Sequence, residues 1–129
     1  MKIRIRGNSL RLRLVQAEVE QFAEQGVITE ATTFPLGPSL HYALEMYDGA
    51  VLTARLEDTR VRVLVPRAQA KAWATSNEVS LAGEEETPGG VLKLLVEKDF
   101  VCINPQAVWQ EDQSDNFPNP NTSCGSKPT

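Results

Sequence analysis

Residues 2–6 and 10–14 each alternate between aliphatic and charged side chains. In both runs the isoleucines or leucines fall on one face and the basic residues on the other. Gly7, Asn8 and Ser9 between the runs are residue types of a tight turn. Because a period of two residues is typical of a strand with one buried face, the sequence predicts a β-hairpin here.

A helix is predicted after this hairpin. Its apolar residues recur at helical spacing, at Val15, Val19, Phe22 and Ala23. Gly26 follows, and glycine often ends helices because it adopts the left-handed conformation without steric cost. Residues 27–34 then favour a strand, which Pro35 ends.

Residues 40–46 and 52–56 alternate in the same way and are separated by the turn-like sequence Asp-Gly-Ala at residues 48–50. A two-residue loop would mix apolar and polar side chains on each face. A three-residue loop places Met46 opposite Leu52 and keeps the apolar set together. We therefore expect the two strands to pair as a hairpin with a three-residue loop.

The rest of the chain predicts further strands and one more helix. Residues 61–65 favour a strand, and Pro66 suits the first turn of the helix that follows. The apolar stripe of this helix is Ala70, Trp73 and Ala74. Residues 79–81 favour a short strand, and residues 84–90 favour a turn that contains a solvated acidic run. Residues 91–101, apolar on both faces, predict a strand at the centre of its sheet.

An offset of about fifty residues aligns two parts of the chain. The aligned positions are Leu12, Leu14, Val19, Phe22, Ala23 and Gly26 in the first part and Val63, Val65, Ala70, Trp73, Ala74 and Asn77 in the second. One explanation of this match is a duplicated strand–helix–strand unit. The other is coincidence, because any two strand–helix–strand units show similar hydrophobic patterns. Because asparagine tolerates the left-handed conformation, we expect Asn77 to end the second helix as Gly26 ends the first.

Together these elements predict an α+β fold, with a mainly antiparallel sheet of about seven or eight strands and two short helices packed on it. Phe22 and Trp73 occupy matching positions on the two helices, so both are expected to be buried against the sheet. We expect residues 1–103 to form a single domain and residues 104–129 a C-terminal segment rich in proline and asparagine.

The C-terminal segment is expected to pack back on the domain over residues 107–124. Trp109 and Phe117 are large apolar anchors, which disordered tails generally lack. Pro118 and Pro120 stiffen the chain and lower the entropy that docking would remove.

The composition narrows the class of protein. A net charge of −4 argues against general nucleic-acid binding, which usually needs a basic surface. No apolar run is long enough to cross a bilayer, and the alternating N-terminus lacks the pattern of a signal peptide, so we expect a cytoplasmic protein. The one histidine, His41, excludes a histidine-rich zinc site and is expected on the surface of a half-buried strand.

Arginines on the predicted polar strand faces are the first candidates for a site. They are Arg4, Arg6, Arg11, Arg13, Arg55, Arg60 and Arg62. Inside a closed barrel they would line an anion-binding tunnel for polyphosphate or nucleotides. On an open sheet they would face solvent, which we favour because an antiparallel sheet packed on one face needs a polar face.

The two cysteines give a second candidate site. In a reducing compartment Cys102 and Cys124 are expected to be thiols. If the tail returns to the last strand, their thiolates could combine with Asp99 and Asp115 in a metal or redox site. The alternative is that the cysteines stay apart and that the loop acids are solvated.

Four segments of the chain resemble a family of small uncharacterised bacterial proteins. The segments are MKIRIRGNSLRLRL, VPRAQAKAW, LLVEKDFVC and EDQSDNFPNP, and the likeness covers nearly the whole chain. The resemblance implies no known activity, substrate or cofactor. It does imply that the DQSDNFPNP motif of the tail is a family feature and not a random extension.

The sequence favours a small non-enzymatic binding or interaction module. It contains no nucleophile–base constellation, no glycine-rich phosphate loop and no paired-cysteine zinc motif. A protein partner or a homo-oligomer is compatible with this interpretation, and the ligand stays open. The alternatives are the metal or redox site and an arginine-rich sheet face that binds phosphate or nucleotides.

Overall fold

The computed structural model describes residues 1–99, which form one compact unit. This part of the chain contains eight strands and two helices: β1 (Lys2–Arg6), β2 (Ser9–Leu14), α1 (Gln16–Gln25), β3 (Val27–Thr32), β4 (Leu40–Tyr47), β5 (Thr53–Glu57), β6 (Arg60–Pro66), α2 (Arg67–Thr75), β7 (Ser80–Thr87) and β8 (Gly90–Lys98). The α+β class, the first hairpin and both helices are confirmed.

The strands form two four-stranded sheets. Sheet 1 has the order β1-β2-β8-β7 and sheet 2 the order β3-β4-β6-β5. In each sheet the two central strands are parallel, and the outer strands pair with them antiparallel. The predicted number of strands and their mainly antiparallel pairing are confirmed, since four of the six pairings are antiparallel. The strands form two mixed sheets and not one, because side-chain alternation does not distinguish parallel from antiparallel neighbours. The central position of β8 is confirmed.

The predicted repeat is present in the topology. Each half of the described chain runs hairpin, helix, hairpin, with α1 in the first half and α2 in the second. The two sheets are equivalent when each strand of one half is exchanged for its counterpart in the other half, β1 for β5 through β4 for β8. This exchange turns the order of sheet 1 into β5-β6-β4-β3, which is the order of sheet 2 read from its other edge. An offset of 51 residues, for example from Leu12 to Val63, relates equivalent positions on β2 and β6.

The expected hairpin between β4 and β5 is wrong. β6 lies between these two strands, parallel to β4 and antiparallel to β5. Val63 stands opposite both Leu44 and Ala54, so the three side chains share one face. The pattern therefore identified the buried face correctly, but an intervening strand with the same pattern satisfies it equally well.

All four hairpin connections lie at one end of the unit, which we call the hairpin end. Within each sheet this follows from the pairing, because β8 runs parallel to β2 and β4 runs parallel to β6. The β1–β2 hairpin of one sheet and the β5–β6 hairpin of the other line the same cavity, so the two sheets share this end. Both helices leave from the opposite end of β2 and β6, which we call the helix end. A single apolar core joins the inner faces of both sheets to the helices.

Phe22 and Trp73 fill the core at the helix end, as predicted. Both side chains are fully buried, and their ring centroids lie 6.3 Å apart in an edge-to-face arrangement. The indole N–H of Trp73 donates a hydrogen bond to the carbonyl of Val79 at 3.1 Å. The Lys98 ammonium lies 5.5 Å from the Trp73 ring centroid, within cation–π range.

The two helices end differently. Gly26 has φ = 79° and donates its N–H to the carbonyl of Phe22 at 2.8 Å, which confirms the predicted stop. α2 ends at Thr75, and Ser76 is extended with φ = −121°. Among the described non-glycine residues only Asp58 has a positive φ, so the predicted left-handed stop at Asn77 is wrong.

The acidic residues 84–86 lie within β7 and not in a turn. Glu84 stands opposite Lys93 of β8, on the outer face of sheet 1. The turn is shorter than predicted and comprises residues 88–89, between β7 and β8. A charged run can occupy a strand here because β7 is the last strand of its sheet, and charges are common on edge strands.

Polar contacts connect the two sheets along their edges. The Met1 ammonium group binds the carboxylates of Glu18 and Glu30, and the Tyr42 hydroxyl donates to the Met1 carbonyl at 3.1 Å. Burial lowers the pKa of this ammonium group, but the hydrogen bonds and charges of the two glutamates outweigh burial, so the pKa is raised. At the opposite edges of the two sheets, which are β5 and β7, the Thr53 hydroxyl donates to the carboxylate of Glu85.

Candidate functional site

Only one of the four predicted metal ligands lies in the described part of the chain. The Asp99 carboxylate is 3.3 Å from the Lys2 ammonium, and the Asp99 backbone N–H donates to the carbonyl of Leu14 at 2.8 Å. Cys102, Cys124 and Asp115 lie outside the described residues. Residues 1–99 hold no cluster of three or more side chains suited to a metal ion. The metal site stays a prediction, which elemental analysis of the purified protein tests.

The predicted packing of residues 107–124 on the domain also lies outside the described residues. The same is true of Trp109 and Phe117, of the contact between the cysteines, and of the boundary at residue 103. These remain predictions. Limited proteolysis tests the packing, because a docked segment is cleaved slowly and an undocked one within minutes.

The arginines of the first hairpin lie on the outer face of sheet 1. Arg4 stands opposite Arg11 and Lys2 opposite Arg13, and these four residues line a shallow cavity of about 210 Å³. The pKa of Arg11 is lower than its ordinary value, mainly because the side chain is partly buried. The charge of Glu97 acts in the opposite direction, and the charges of Arg13 and Arg4 lower the pKa further. The leucines of β2 point the other way, into the core. The described residues therefore do not form a tunnel lined by these arginines.

Equivalent arginine–glutamate pairs connect the parallel strands of both sheets. In sheet 2, Arg62 donates two hydrogen bonds to Glu45, at 2.9 and 3.0 Å. In sheet 1, Glu97 accepts from Arg13 at 2.7 Å and lies 3.6 Å from Arg11, the residue equivalent to Arg62. This repeated contact joins strands that come from different halves of the chain, so it supports a structural role for the glutamates.

The hydrogen bond from Arg62 lowers the pKa of Glu45. Burial acts in the opposite direction, and the charges of Arg62 and Arg60 lower the pKa further. The hydrogen bonds that Arg62 donates to Glu45 in turn raise the pKa of Arg62, with a smaller contribution from Glu57 at 3.2 Å. Glu45 is therefore held as a carboxylate, which does not suit a general acid at neutral pH.

His41 lies half-buried on the outer side of β4. Its backbone N–H donates to the carbonyl of Thr59 at 2.9 Å, and its register neighbours are Arg60 and Ala31. Neither neighbour supplies a nucleophile or an orienting carboxylate, which catalysis by a histidine would need. The structure agrees with the expected surface position of this residue.

A cleft of about 330 Å³ opens at the hairpin end, between the β1–β2 hairpin and the β5–β6 hairpin. Most of its lining is apolar: Ile5, Leu10, Ala54, Leu56, Val61 and Leu92. The turn of the first hairpin supplies Gly7, Asn8 and Ser9. Among the described residues that line the cleft, Arg55 alone carries a charge.

Positions related by the internal repeat form the two walls. The offset of 51 residues relates Ile5 to Leu56 and Leu10 to Val61. It also relates Gly7 to Asp58, which have the same backbone φ of 54° at the tips of the two hairpins. The cleft therefore lies where the two equivalent hairpins face each other.

The wall formed by the first hairpin is held in place by hydrogen bonds to β8. The Asn8 side-chain amide donates to the carbonyl of Val91 at 3.0 Å, and the Lys93 backbone N–H donates to the carbonyl of Asn8 at 3.0 Å. The Ser9 hydroxyl donates to the carbonyl of Arg6 at 2.6 Å. The cleft wall is thus preformed, which lowers the entropy lost when a ligand binds.

Exposed apolar side chains surround this end of the unit. Ile5 is 60% and Leu56 is 72% exposed at the cleft itself. In the loop between β3 and β4, Phe34 is 53% and Leu36 is 90% exposed. Clusters of exposed apolar side chains are typical of binding surfaces, whereas isolated ones are ordinary.

The cleft was not predicted from the sequence. The repeat was aligned only from Leu12 toward the helices. Extending the same offset toward the N-terminus would have matched Ile5 with Leu56 and Gly7 with Asp58. Even then, the alignment could not show that the two hairpins face each other.

The chain belongs to a family of unknown function, DUF7009, whose model matches residues 1–121. This agrees with the predicted membership in an uncharacterised family. No curated protein and no solved structure shows a significant match to the chain. Neither helix in residues 1–99 is long and apolar enough to span a bilayer.

Proposed function

We propose that this protein is a non-enzymatic binding module and that the cleft at the hairpin end is its ligand site. The observation that carries the proposal is a preformed cavity of about 330 Å³ with aliphatic walls from two equivalent hairpins. Ligand sites in proteins typically have volumes of about 300–1,000 Å³ and mostly apolar linings with a few polar groups. The cleft has this composition at the small end of that range.

Removal of apolar surface from water would supply the binding free energy. Ile5 and Leu56 both line the cleft and are largely exposed. Covering apolar surface stabilises a complex by roughly 25 cal/mol per Å², before the cost of association is subtracted. Because the walls are short aliphatic side chains, the site suits an alkyl group better than an aromatic ring system.

Titration with an uncharged alkyl probe tests the proposal. Decanol added to ¹⁵N-labelled protein should give saturable shifts of the backbone amide signals of Gly7, Asn8 and Ser9. The variant Leu56→Thr removes apolar surface from the cleft but keeps a residue that suits a strand, so it should weaken binding. Leu36→Thr is the matched control, because Leu36 is more exposed and does not line the cleft.

Two results would contradict this function. One is the absence of saturable shifts at the three turn amides. The other is an equal loss of affinity in Leu56→Thr and Leu36→Thr, which would indicate nonspecific association with exposed apolar side chains.

The cationic face of sheet 1 supports a second candidate function, the binding of a phosphate-containing anion. Lys2, Arg4, Arg11 and Arg13 stand in opposed pairs on neighbouring strands, where like charges repel. The nearby carboxylates of Glu97 and Asp99 offset part of this repulsion. A bound polyanion would offset more of it.

A thermal-shift titration with inorganic pyrophosphate tests this second candidate. Binding should raise the melting temperature of the wild-type protein, and Arg4→Gln should reduce the increase. Arg55→Gln is the matched control, because Arg55 is the equivalent of Arg4 in the repeat and lies on the other sheet. An unchanged melting temperature at millimolar pyrophosphate would exclude the candidate.

A further inference from the structure

β3 is the outermost strand of sheet 2, and within residues 1–99 no strand pairs with its outer edge. The other three edge strands carry charged side chains on the outer faces of their sheets: Lys2, Arg4 and Arg6 on β1, Arg55 on β5, and Glu84 and Glu86 on β7. Such charges discourage pairing with a second chain. The outward side chains of β3 are Val27, Thr29 and Ala31, and none of them is charged. Of these four edges, β3 is therefore the least protected against the addition of a strand.

The backbone of β3 directs hydrogen-bonding groups toward this edge. The Met46 N–H donates to the Gly26 carbonyl at 2.8 Å, in the residue pair next to Val27. Hydrogen-bonded and non-hydrogen-bonded pairs alternate along an antiparallel ladder. The N–H and C=O groups of Val27, Thr29 and Ala31 therefore point away from β4. In the described part of the chain, no backbone hydrogen bond joins these groups to another strand.

β7 occupies the equivalent position in the internal repeat, but its edge is charged. Thr29 corresponds to Ala82, since the register leads from both to arginines related by the offset of 51 residues. The next outward residue is Ala31 on β3 and Glu84 on β7. The fold therefore accepts a charge at this position, and its absence from β3 leaves one of two equivalent edges open.

We propose that β3 pairs with β3 of a second copy of this chain, antiparallel and centred on Thr29. Thr29 then stands opposite the partner's Thr29, and Val27 stands opposite the partner's Ala31. In this register every outward residue belongs to a hydrogen-bonded pair, and each such pair exchanges two hydrogen bonds. The two copies of sheet 2 become one continuous sheet. This interface is separate from the cleft at the hairpin end and does not depend on its function.

The paired strands are complementary to each other, as a two-fold interface requires. Glu30 is the one charged residue of β3, and it stands opposite the partner's Ile28, so no like charges meet along the strand. The Glu30 carboxylate also lies 3.0 Å from the ammonium group of Met1 in its own chain. The two Thr29 side chains meet on the outer face, where threonine pairs stabilise neighbouring strands through hydrogen bonds.

Sedimentation velocity of the full-length protein, from micromolar to millimolar concentration, tests the proposal. A monomer–dimer equilibrium is expected, because one short strand buries less surface than an obligate interface does. Hydrogen exchange of the backbone amides then locates the contact. The amides of Val27, Thr29 and Ala31 should become protected as the concentration rises. Those of Ile28 and Glu30, which point toward β4, should not change.

Substitutions of Thr29 should disrupt the dimer. Thr29→Lys should weaken dimerisation about tenfold or more, because two like charges would meet at the centre of the interface. Ala82→Lys is the matched control, because it adds the same charge at the equivalent exposed position of β7 and should leave the dimer intact. Thr29→Pro replaces an N–H that points away from β4, so it should block the partner strand and keep the ladder of its own sheet. Melting temperatures of the monomeric variants at low concentration verify that they are folded.

Three results would overturn the proposal. One is a protein that stays monomeric at every concentration with unprotected amides at Val27, Thr29 and Ala31. Another is protection of these amides in a monomer, which would show that a segment of the same chain occupies the edge. The third is a dimer that neither substitution of Thr29 weakens, or that Ala82→Lys weakens equally, because its interface would then lie elsewhere.

Discussion

The helix end and the hairpin end of this unit are both built from equivalent residues of the internal repeat, but only the helix end is filled. At the helix end, Phe22 and Trp73 are fully buried against each other. At the hairpin end, the equivalent residues Ile5 and Leu56 leave a cleft between them and are largely exposed.

The difference follows from which elements reach each end. The helices place large aromatic side chains at the helix end, whereas the cleft at the hairpin end is lined mostly by short aliphatic side chains of strands. We infer that packing at the helix end supplies most of the stability of the fold and that the hairpin end supplies the binding surface. Binding sites are commonly located where packing is incomplete.

Truncation of an aromatic residue at the helix end should have the largest effect. Trp73→Ala should lower the free energy of unfolding by about 3–5 kcal/mol, because it removes a fully buried ring and leaves a cavity. Phe22→Ala should have an effect of the same size. Urea unfolding followed by circular dichroism measures both. A decrease below about 1 kcal/mol in either variant would contradict the importance of this contact.

The next effect concerns the different ends of the two helices. Gly26→Ala should lower the free energy of unfolding by about 1–2 kcal/mol, because alanine is strained at φ = 79°. Asn77→Ala, at the equivalent position after α2, should cost much less because no left-handed residue ends that helix. Equal losses in urea unfolding would show that the two helices end alike in solution.

A smaller, pH-dependent effect is expected at the pair that joins the parallel strands of sheet 2. The pKa of Glu45 is lower in the folded protein than its ordinary value of 4.5. Glu45 therefore stabilises the fold above that pH, and the stabilisation is lost as the pH falls through the lower folded value.

Glu45→Gln should lower the free energy of unfolding at neutral pH by roughly 0.5–1 kcal/mol, a value reduced for the partial exposure of the pair. The difference from the wild type should shrink in urea unfolding as the pH falls through the lowered folded pKa of Glu45. Glu57→Gln is the control, since Glu57 is more exposed and should contribute less. A difference that is independent of pH would contradict the assignment to the carboxylate.

The smallest effect is expected at the hairpin end. Leu56→Thr should change the free energy of unfolding by less than about 0.5 kcal/mol, because the side chain is already 72% exposed. The same variant should weaken binding of the alkyl probe. A large loss of stability in urea unfolding would show that Leu56 belongs to the core, and would remove the contrast between the two ends.

The sequence by itself determined much of the local structure. Alternation identified the inward faces of the strands, helical spacing identified Phe22 and Trp73 as core residues, and Gly26 ended α1 as predicted. The repeat was also visible in the sequence. These features depend on the periodicity of strands and helices and on the backbone preferences of single residues, which are local properties.

Only the tertiary structure decided which strands pair and where the cleft opens. β4 pairs with β6 instead of β5, because alternation states which face is buried but not which strand covers it. Packing between the two halves then brings Ile5 and Leu56 to the walls of one cleft. These contacts join residues about fifty positions apart, and their stability depends on the packing of all the elements together.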